Sequence, residues 1–119
     1  MTIELVLARH AKSDWGDPGL RDHDRPLNER GTRDAPRMAA RLAETGFRPE
    51  ALLSSTALRA RTTADAFAAA LATTVTLVPD LYGAPPSTLL AVASQSGRRR
   101  VMLVAHNPGM TELAEALSG

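Results

Sequence analysis

Two arginines and two histidines stand out in the sequence, because together they could hold a phosphoryl group and react with it. They are Arg9, His10, Arg59 and His106. Arginine offers a planar fork of N–H donors that matches phosphate oxygens. A neutral imidazole nitrogen can act as a nucleophile and form a covalent intermediate. These residue types therefore predict chemistry at phosphorus, provided that the fold brings them together.

The arginines and histidines would have different roles in such a reaction. Phosphoryl transfer depends mainly on positioning and charge neutralisation, which two guanidinium groups supply by forking onto the non-bridging oxygens. Their positive charge opposes protonation of His10 and so favours its nucleophilic form. His106 would donate a hydrogen bond to the phosphoryl oxygens and stabilise the charge that develops in the transition state.

Four short apolar runs, separated by helical patterns, provide the elements that could position these side chains. The runs over 3–8 and 101–105 are nearly continuous, which is typical of strands covered on both faces. Two shorter runs cover 51–53 and 75–78. The alternation predicts an α/β fold, a three-layer αβα arrangement with a mostly parallel central sheet.

The helical segments carry recognisable start and stop signals. Asn28 or, alternatively, Thr32 caps the first helix, and Pro36 is expected to kink it or delay its start. Gly46 is suited to the position just after its end. Further helices are predicted over 56–71, over 88–93 and from about Thr111.

The predicted sheet places the candidate residues at one edge. In open α/β sheets, ligands bind beyond the carboxyl ends of the strands. The first strand delivers Arg9 and His10 to this edge, and the fourth delivers His106. The second strand leads through Ser55 into a helix that carries Arg59 in its first turn, near the positive end of the helix dipole. We therefore expect the four side chains to converge around one anion.

Four sequence motifs in this order resemble those of the histidine phosphatase superfamily, which has the phosphoglycerate mutase-like fold. The family motifs R-H-G-x-S-x-W, P-L-T-x-x-G, S-x-x-x-R-A-x-x-T-A and a hydrophobic strand ending in a second histidine are matched at 9–15, 26–31, 55–64 and 104–109. Ala11 replaces the glycine of the first motif. The resemblance runs from residue 3 to about residue 112.

This resemblance implies a fold, an activity and a set of site residues. His10 would be the phosphorylated nucleophile, with Arg9, Arg59 and His106 completing a phosphate pocket that needs no metal or other cofactor. The chain is most similar to the short bacterial branch that includes the phosphohistidine phosphatase SixA, because it lacks the long insertions of the mutases.

The general acid departs from the family pattern. Many members place a glutamate three residues before an aromatic-glycine pair, but three residues before Tyr82 stands Pro79. Asp80 is the nearest carboxylate, one residue out of register. Either Asp80 donates the proton or the acid is missing. A missing acid would suit a leaving group that needs little help, such as the imidazole of a phosphohistidine.

The sequence thus favours a phosphatase that acts through a phospho-His10 intermediate on a phosphohistidine protein or a small phosphoester. Two alternatives stay open. One is a catalytically weak phosphate-binding or regulatory domain. The other is phosphoglycerate mutase activity, which the short chain and the missing glutamate disfavour.

Composition restricts the other possibilities. The 119 residues, 44% of them hydrophobic, suit one domain over 1–119. The family domain usually continues past the second histidine, so either the chain is a fragment or its domain lacks a core element. A net charge of +1 argues against nucleic acid as a partner. With no cysteine, no signal peptide and no apolar run of membrane-spanning length, we expect a cytoplasmic protein.

Five further residues are candidates for positions in or near the site, and two of them lie in the polar loop over 14–26, since long loops are often functional. Trp15 and Tyr82 either flank the pocket or pack in the core. Ser13 and Ser55 either donate to the phosphate or cap the turns that follow them. His23 is expected to be solvated, since a metal site of three histidines would lack the usual ligand spacing and carboxylate support.

Overall fold

The computed structural model describes residues 3–10 and 19–118, in which four strands alternate with four α-helices. The strands are β1 (Glu4–Arg9), β2 (Ala51–Ser54), β3 (Val75–Leu77) and β4 (Arg100–Ala105). The helices are α1 (Glu29–Glu44), α2 (Leu58–Leu71), α3 (Pro86–Gln95) and α4 (Gly109–Ser118). Two short 3-10 turns, Asp22–Asp24 and Pro79–Leu81, precede α1 and α3. This order confirms the predicted α/β fold.

The four strands form one parallel sheet in the order β1-β4-β2-β3. The last residues of β1 and β4 pair with each other, and the last residue of β2 pairs with the penultimate residue of β4. The carboxyl ends of these three strands therefore lie at nearly the same level. His10, Ser55 and His106, which directly follow the strands, leave the sheet side by side.

The helices cover both faces of the sheet, as the nearly continuous apolar run of β4 predicts. Met102 and Val104 point into a core formed with α1 and α2, which also contains Phe67. Leu103 and Ala105 point into a second core formed with α3 and α4. Successive residues of a strand face opposite sides of the sheet, so both sets must be apolar.

The first helix begins at the earlier of the two predicted caps. The side-chain oxygen of Asn28 accepts a hydrogen bond from the Gly31 N–H at 2.7 Å, which satisfies one of the unpaired donors of the first turn. Pro36 does not delay the start, because it lies in the interior of α1. The helix ends as predicted, with Gly46 at a φ of +83° just beyond it.

The other helices start within two residues of the predicted positions. Helix α3 begins earlier than predicted, at Pro86, where the missing N–H of proline is no loss. Helix α4 begins at Gly109, which packs directly against the backbone of Ala84, so that a side chain at 109 would collide with the Ala84 carbonyl. None of the described helices has both the length and the apolar character needed to cross a membrane.

Candidate active site

Three of the four predicted residues meet at the carboxyl edge of the sheet. The rings of His10 and His106 have centroids 5.2 Å apart. Arg59, the second residue of α2, donates a hydrogen bond from Nε to Nε2 of His10 at 3.3 Å. Side chains from the ends of β1 and β4 and from the first turn of α2 thus form one cluster.

Backbone hydrogen bonds hold this cluster in register beyond the last paired residues of the strands. The His10 N–H donates to the Ala105 carbonyl at 3.3 Å, and the Ser55 N–H donates to the Val104 carbonyl at 2.9 Å. Both residues are therefore fixed relative to β4, the strand that leads into His106.

His106 is buried and has one ring nitrogen engaged. Only 7% of the residue is exposed, and its Nε2 lies 2.7 Å from Oγ of Ser55. Its Nδ1 is buried without a hydrogen-bond partner in the described part of the chain. Burial, followed by the positive charge of Arg59, lowers the pKa of His106 to about 4. His106 is consequently a neutral imidazole at neutral pH.

The guanidinium of Arg59 holds a carboxylate that sequence analysis did not identify. Nη1 of Arg59 donates to the backbone carbonyl of Asp22 at 2.5 Å, and Nη2 donates to Oδ2 of the same residue at 2.9 Å. Arg59 is 5% exposed. Both terminal nitrogens of the guanidinium thus contact Asp22, whereas the sequence predicted that they would face a phosphate.

Asp22 also contacts Tyr82 and Arg25. The Tyr82 hydroxyl donates to Oδ2 at 2.6 Å, and Nη2 of Arg25 donates to Oδ1 at 3.0 Å. The hydrogen bond from Tyr82 and those from Arg25 and Arg59 hold the pKa of Asp22 far below its usual range. Asp22 is therefore ionised near neutral pH and cannot supply a proton to a leaving group.

Tyr82 lies beside the site and is not packed in the core. Its ring meets the His106 ring edge-on, with centroids 5.5 Å apart at 87°, and 38% of the residue is exposed. The hydrogen bond to Asp22 raises the pKa of the Tyr82 hydroxyl. Tyr82 is therefore a partly exposed neighbour of His106.

The His23 side chain is 41% exposed, as expected, but it also contacts two other segments. Its Nε2 lies 2.7 Å from Oγ1 of Thr56, and its ring meets Tyr82 edge-on at 4.9 Å. The 3-10 turn that contains Asp22 thus packs back against the start of α2. With Arg21 and Tyr82, this turn lines a surface pocket.

Ser55 makes two contacts, a capping contact and a contact with His106 that the sequence did not indicate. Its Oγ accepts a hydrogen bond from the Ala57 N–H at 3.2 Å, just before α2 begins. This contact agrees with the prediction that Ser55 caps the turn that follows it. The same oxygen also contacts His106. Ser13, its companion in that prediction, lies outside the described residues, as do Ala11 and Trp15.

Two predicted site residues make no described contact with the cluster. Arg9 ends β1 and is exposed, and no described contact joins its side chain to Arg59 or His106. Asp80 is exposed on the 3-10 turn before α3 and lines a different groove, which includes Glu50. Across residues 3–10 and 19–118, no three histidine, aspartate or glutamate side chains are grouped in a way that could hold a metal ion.

Comparisons with known proteins agree with this geometry. The family model of the histidine phosphatase superfamily (branch 1) matches residues 5–82. An uncharacterised protein of Mycobacterium tuberculosis is 38% identical over 117 residues, which covers 92% of this chain and 69% of that protein. An uncharacterised chloroplastic protein of Arabidopsis thaliana is 34% identical over 128 residues, which covers 97% of this chain but only 59% of the plant protein.

The solved structures include a close match over the whole chain. The crystal structure of SixA from Agrobacterium tumefaciens superimposes with a TM-score of 0.93 at 39% identity, and the match covers 100% of this chain and 79% of that one. The arrangement of strands and helices described above is therefore the arrangement found in SixA.

Proposed function

The chain belongs to the histidine phosphatase superfamily, in its SixA-like branch, and we propose that it hydrolyses phosphoryl groups through a covalent phosphohistidine on His10. The observation that carries this proposal is the hydrogen bond from Nε of Arg59 to Nε2 of His10. A nitrogen that accepts a hydrogen bond carries no proton, and its lone pair is directed at the donor. Nε2 of His10 is therefore unprotonated, and it attacks phosphorus once the Nε–H of Arg59 moves to a phosphoryl oxygen.

The reaction has two displacement steps. In the first, the Nε2 lone pair of His10 forms a bond to phosphorus, and the bond from phosphorus to the leaving group breaks with its electron pair. The leaving group then takes up a proton from water. In the second step, water attacks the phosphohistidine, the P–N bond breaks, and inorganic phosphate is released while the His10 nitrogen recovers its lone pair.

Arg59 and His106 supply the positive charge and the donor that this sequence requires. A guanidinium has five N–H donors, and the described contacts of Arg59 use three of them. The remaining N–H donors would bind phosphoryl oxygens while Asp22 stays bound. His106 adds a donor from a buried position, where an interaction with developing charge is strong.

The absence of a strong proton donor among the described site residues favours phosphohistidine as the substrate. Asp22 is held ionised by its three hydrogen bonds, and His106 is neutral. An alkoxide leaving group needs protonation, whereas an imidazole leaves more readily. SixA of A. tumefaciens is itself named as a candidate phosphohistidine phosphatase. Proton donation by Asp80 stays a prediction, and a small phosphoester is the second substrate class to test.

The covalent intermediate provides the decisive experiment. We expect the protein to hydrolyse p-nitrophenyl phosphate slowly and a phosphohistidine peptide faster, and to retain an acid-labile, base-stable phosphoryl label after rapid quenching. His10→Ala should lose both turnover and label while keeping its circular dichroism spectrum. Phosphate binding without turnover in the unsubstituted protein would instead indicate a binding domain, and turnover that persists in His10→Ala would contradict the proposal.

A further inference from the structure

The two adjacent serines at the end of β2 have different surroundings, although both are fully buried. Ser54 and Ser55 each have 0% exposure. The Ser54 hydroxyl donates to the Ser55 carbonyl at 2.9 Å. The Ser55 hydroxyl instead lies 2.7 Å from Nε2 of His106. One buried hydroxyl thus contacts the site and its neighbour does not.

The hydrogen bonds of Ser55 determine the direction of that contact. A serine hydroxyl has one proton to donate and two lone pairs with which to accept. One lone pair accepts the Ala57 N–H. If the other accepted a proton from His106, the hydroxyl proton of Ser55 would be buried without an acceptor in the described contacts, and buried polar groups are normally paired. The hydroxyl therefore donates to Nε2 of His106.

We propose that Ser55 is a positioning residue that fixes the tautomer of His106, with the proton on Nδ1. This inference deepens the proposed function and rests on it for the catalytic consequence. A neutral imidazole that accepts at Nε2 must carry its proton on Nδ1. Nδ1 is the ring nitrogen that is buried without a partner among the described residues, so its N–H has no internal acceptor.

The tautomer decides what His106 offers to a phosphoryl oxygen. With the proton on Nδ1, the buried nitrogen is a donor whose missing acceptor a phosphoryl oxygen supplies. With the proton on Nε2, the same nitrogen would present a lone pair to the negative oxygen and repel it. Ser55 would therefore act on catalysis through His106, without itself touching the substrate.

Nitrogen NMR of histidine side chains tests the tautomer directly, because the chain has only three histidines. In isotope-labelled unsubstituted protein at neutral pH, we expect the His106 ring to show a protonated Nδ1 and an unprotonated Nε2. A proton on Nε2 would overturn the proposal. This measurement needs no turnover and no variant, so it stands even if the proposed function fails.

Substitution of the two serines then tests the catalytic consequence. Ser55→Ala should populate the other tautomer and lower kcat for the phosphohistidine peptide by about tenfold to a hundredfold, less than the loss of a whole oxyanion donor. Ser54→Ala is the matched control, because it removes an equally buried hydroxyl and should leave the His106 tautomer unchanged. The proposal fails if Ser55→Ala keeps the tautomer and kcat of the unsubstituted protein.

Discussion

Asp22 contacts the guanidinium of Arg59 twice, once through its backbone carbonyl and once through its carboxylate. The two residues are separated by 37 positions in the sequence. Nη1 and Nη2 of Arg59 contact Asp22, while Nε of Arg59 contacts the nucleophile. The contact orients the arginine, but it also places a negative charge close to where a phosphoryl dianion would bind.

This proximity predicts that Asp22→Asn binds phosphate more tightly. Asparagine keeps the backbone carbonyl and a side-chain oxygen of the same shape, but it removes a like charge. Since half-exposed charge pairs are worth about 0.2–1 kcal/mol, the Kd of inorganic phosphate should fall roughly two- to fivefold. Calorimetric titration measures this change. A weaker affinity would mean that orientation of Arg59 by the charge matters more than repulsion.

Arg59 itself should be essential for turnover. Arg59→Ala removes the donors that face His10, so kcat/KM should fall by about a hundredfold or more. Asp22 would lose a partner, but its side chain is half exposed and can be solvated. Arg61→Ala is the matched control, because Arg61 is an exposed arginine on the same helix. Equal activity of the two variants would contradict the position of Arg59 in the pocket.

The depressed pKa of His106 predicts a stability loss in mild acid. In the unfolded chain His106 takes up a proton near its ordinary pKa of 6.5, whereas in the folded protein its pKa is only about 4. The contribution of neutral His106 is thus complete above pH 6.5 and is lost as the pH falls toward 4. Urea unfolding over this range should show a smaller loss in His106→Gln than in the unsubstituted protein. Equal losses of stability in the two proteins would contradict the lowered pKa of His106.

Tyr82 should control the ionisation of Asp22. The Tyr82 hydroxyl makes the largest contribution to the low pKa of Asp22. Tyr82→Phe removes that hydroxyl and keeps a ring of similar size beside His106 and His23. Carbon NMR of the carboxyl group should show the pKa of Asp22 rising toward its ordinary value. A carboxyl that titrates as before would assign the low pKa to the two arginines alone.

The sheet and part of the site could be predicted because they follow from local patterns. The apolar runs mark the strands, and His10 and His106 directly follow two of them, so the parallel register brings them together. The early start of α1 was one of two options, and the Asn28 side chain decides it through a hydrogen bond that spacing alone cannot reveal.

The residues that were missed depend on contacts across the chain. Asp22 and His23 lie on a 3-10 turn that folds back onto α2, and no local pattern marks a turn that reaches Arg59 or Thr56. Asp80 and Tyr82 are two residues apart but contribute to different surfaces, because Asp80 lies within the tight turn and Tyr82 just after it. The spacing of residues in a family motif does not show which surface each residue of such a turn faces.

The close packing of Gly109 on Ala84 connects two segments of the site. Ala84 follows Tyr82 by two residues, and Gly109 follows His106 by three. The absence of a side chain at 109 therefore allows the segment that carries His106 to lie directly against the segment that carries Tyr82. Any larger residue there would collide with the Ala84 carbonyl, and relief of that collision would move the imidazole and the phenol ring apart.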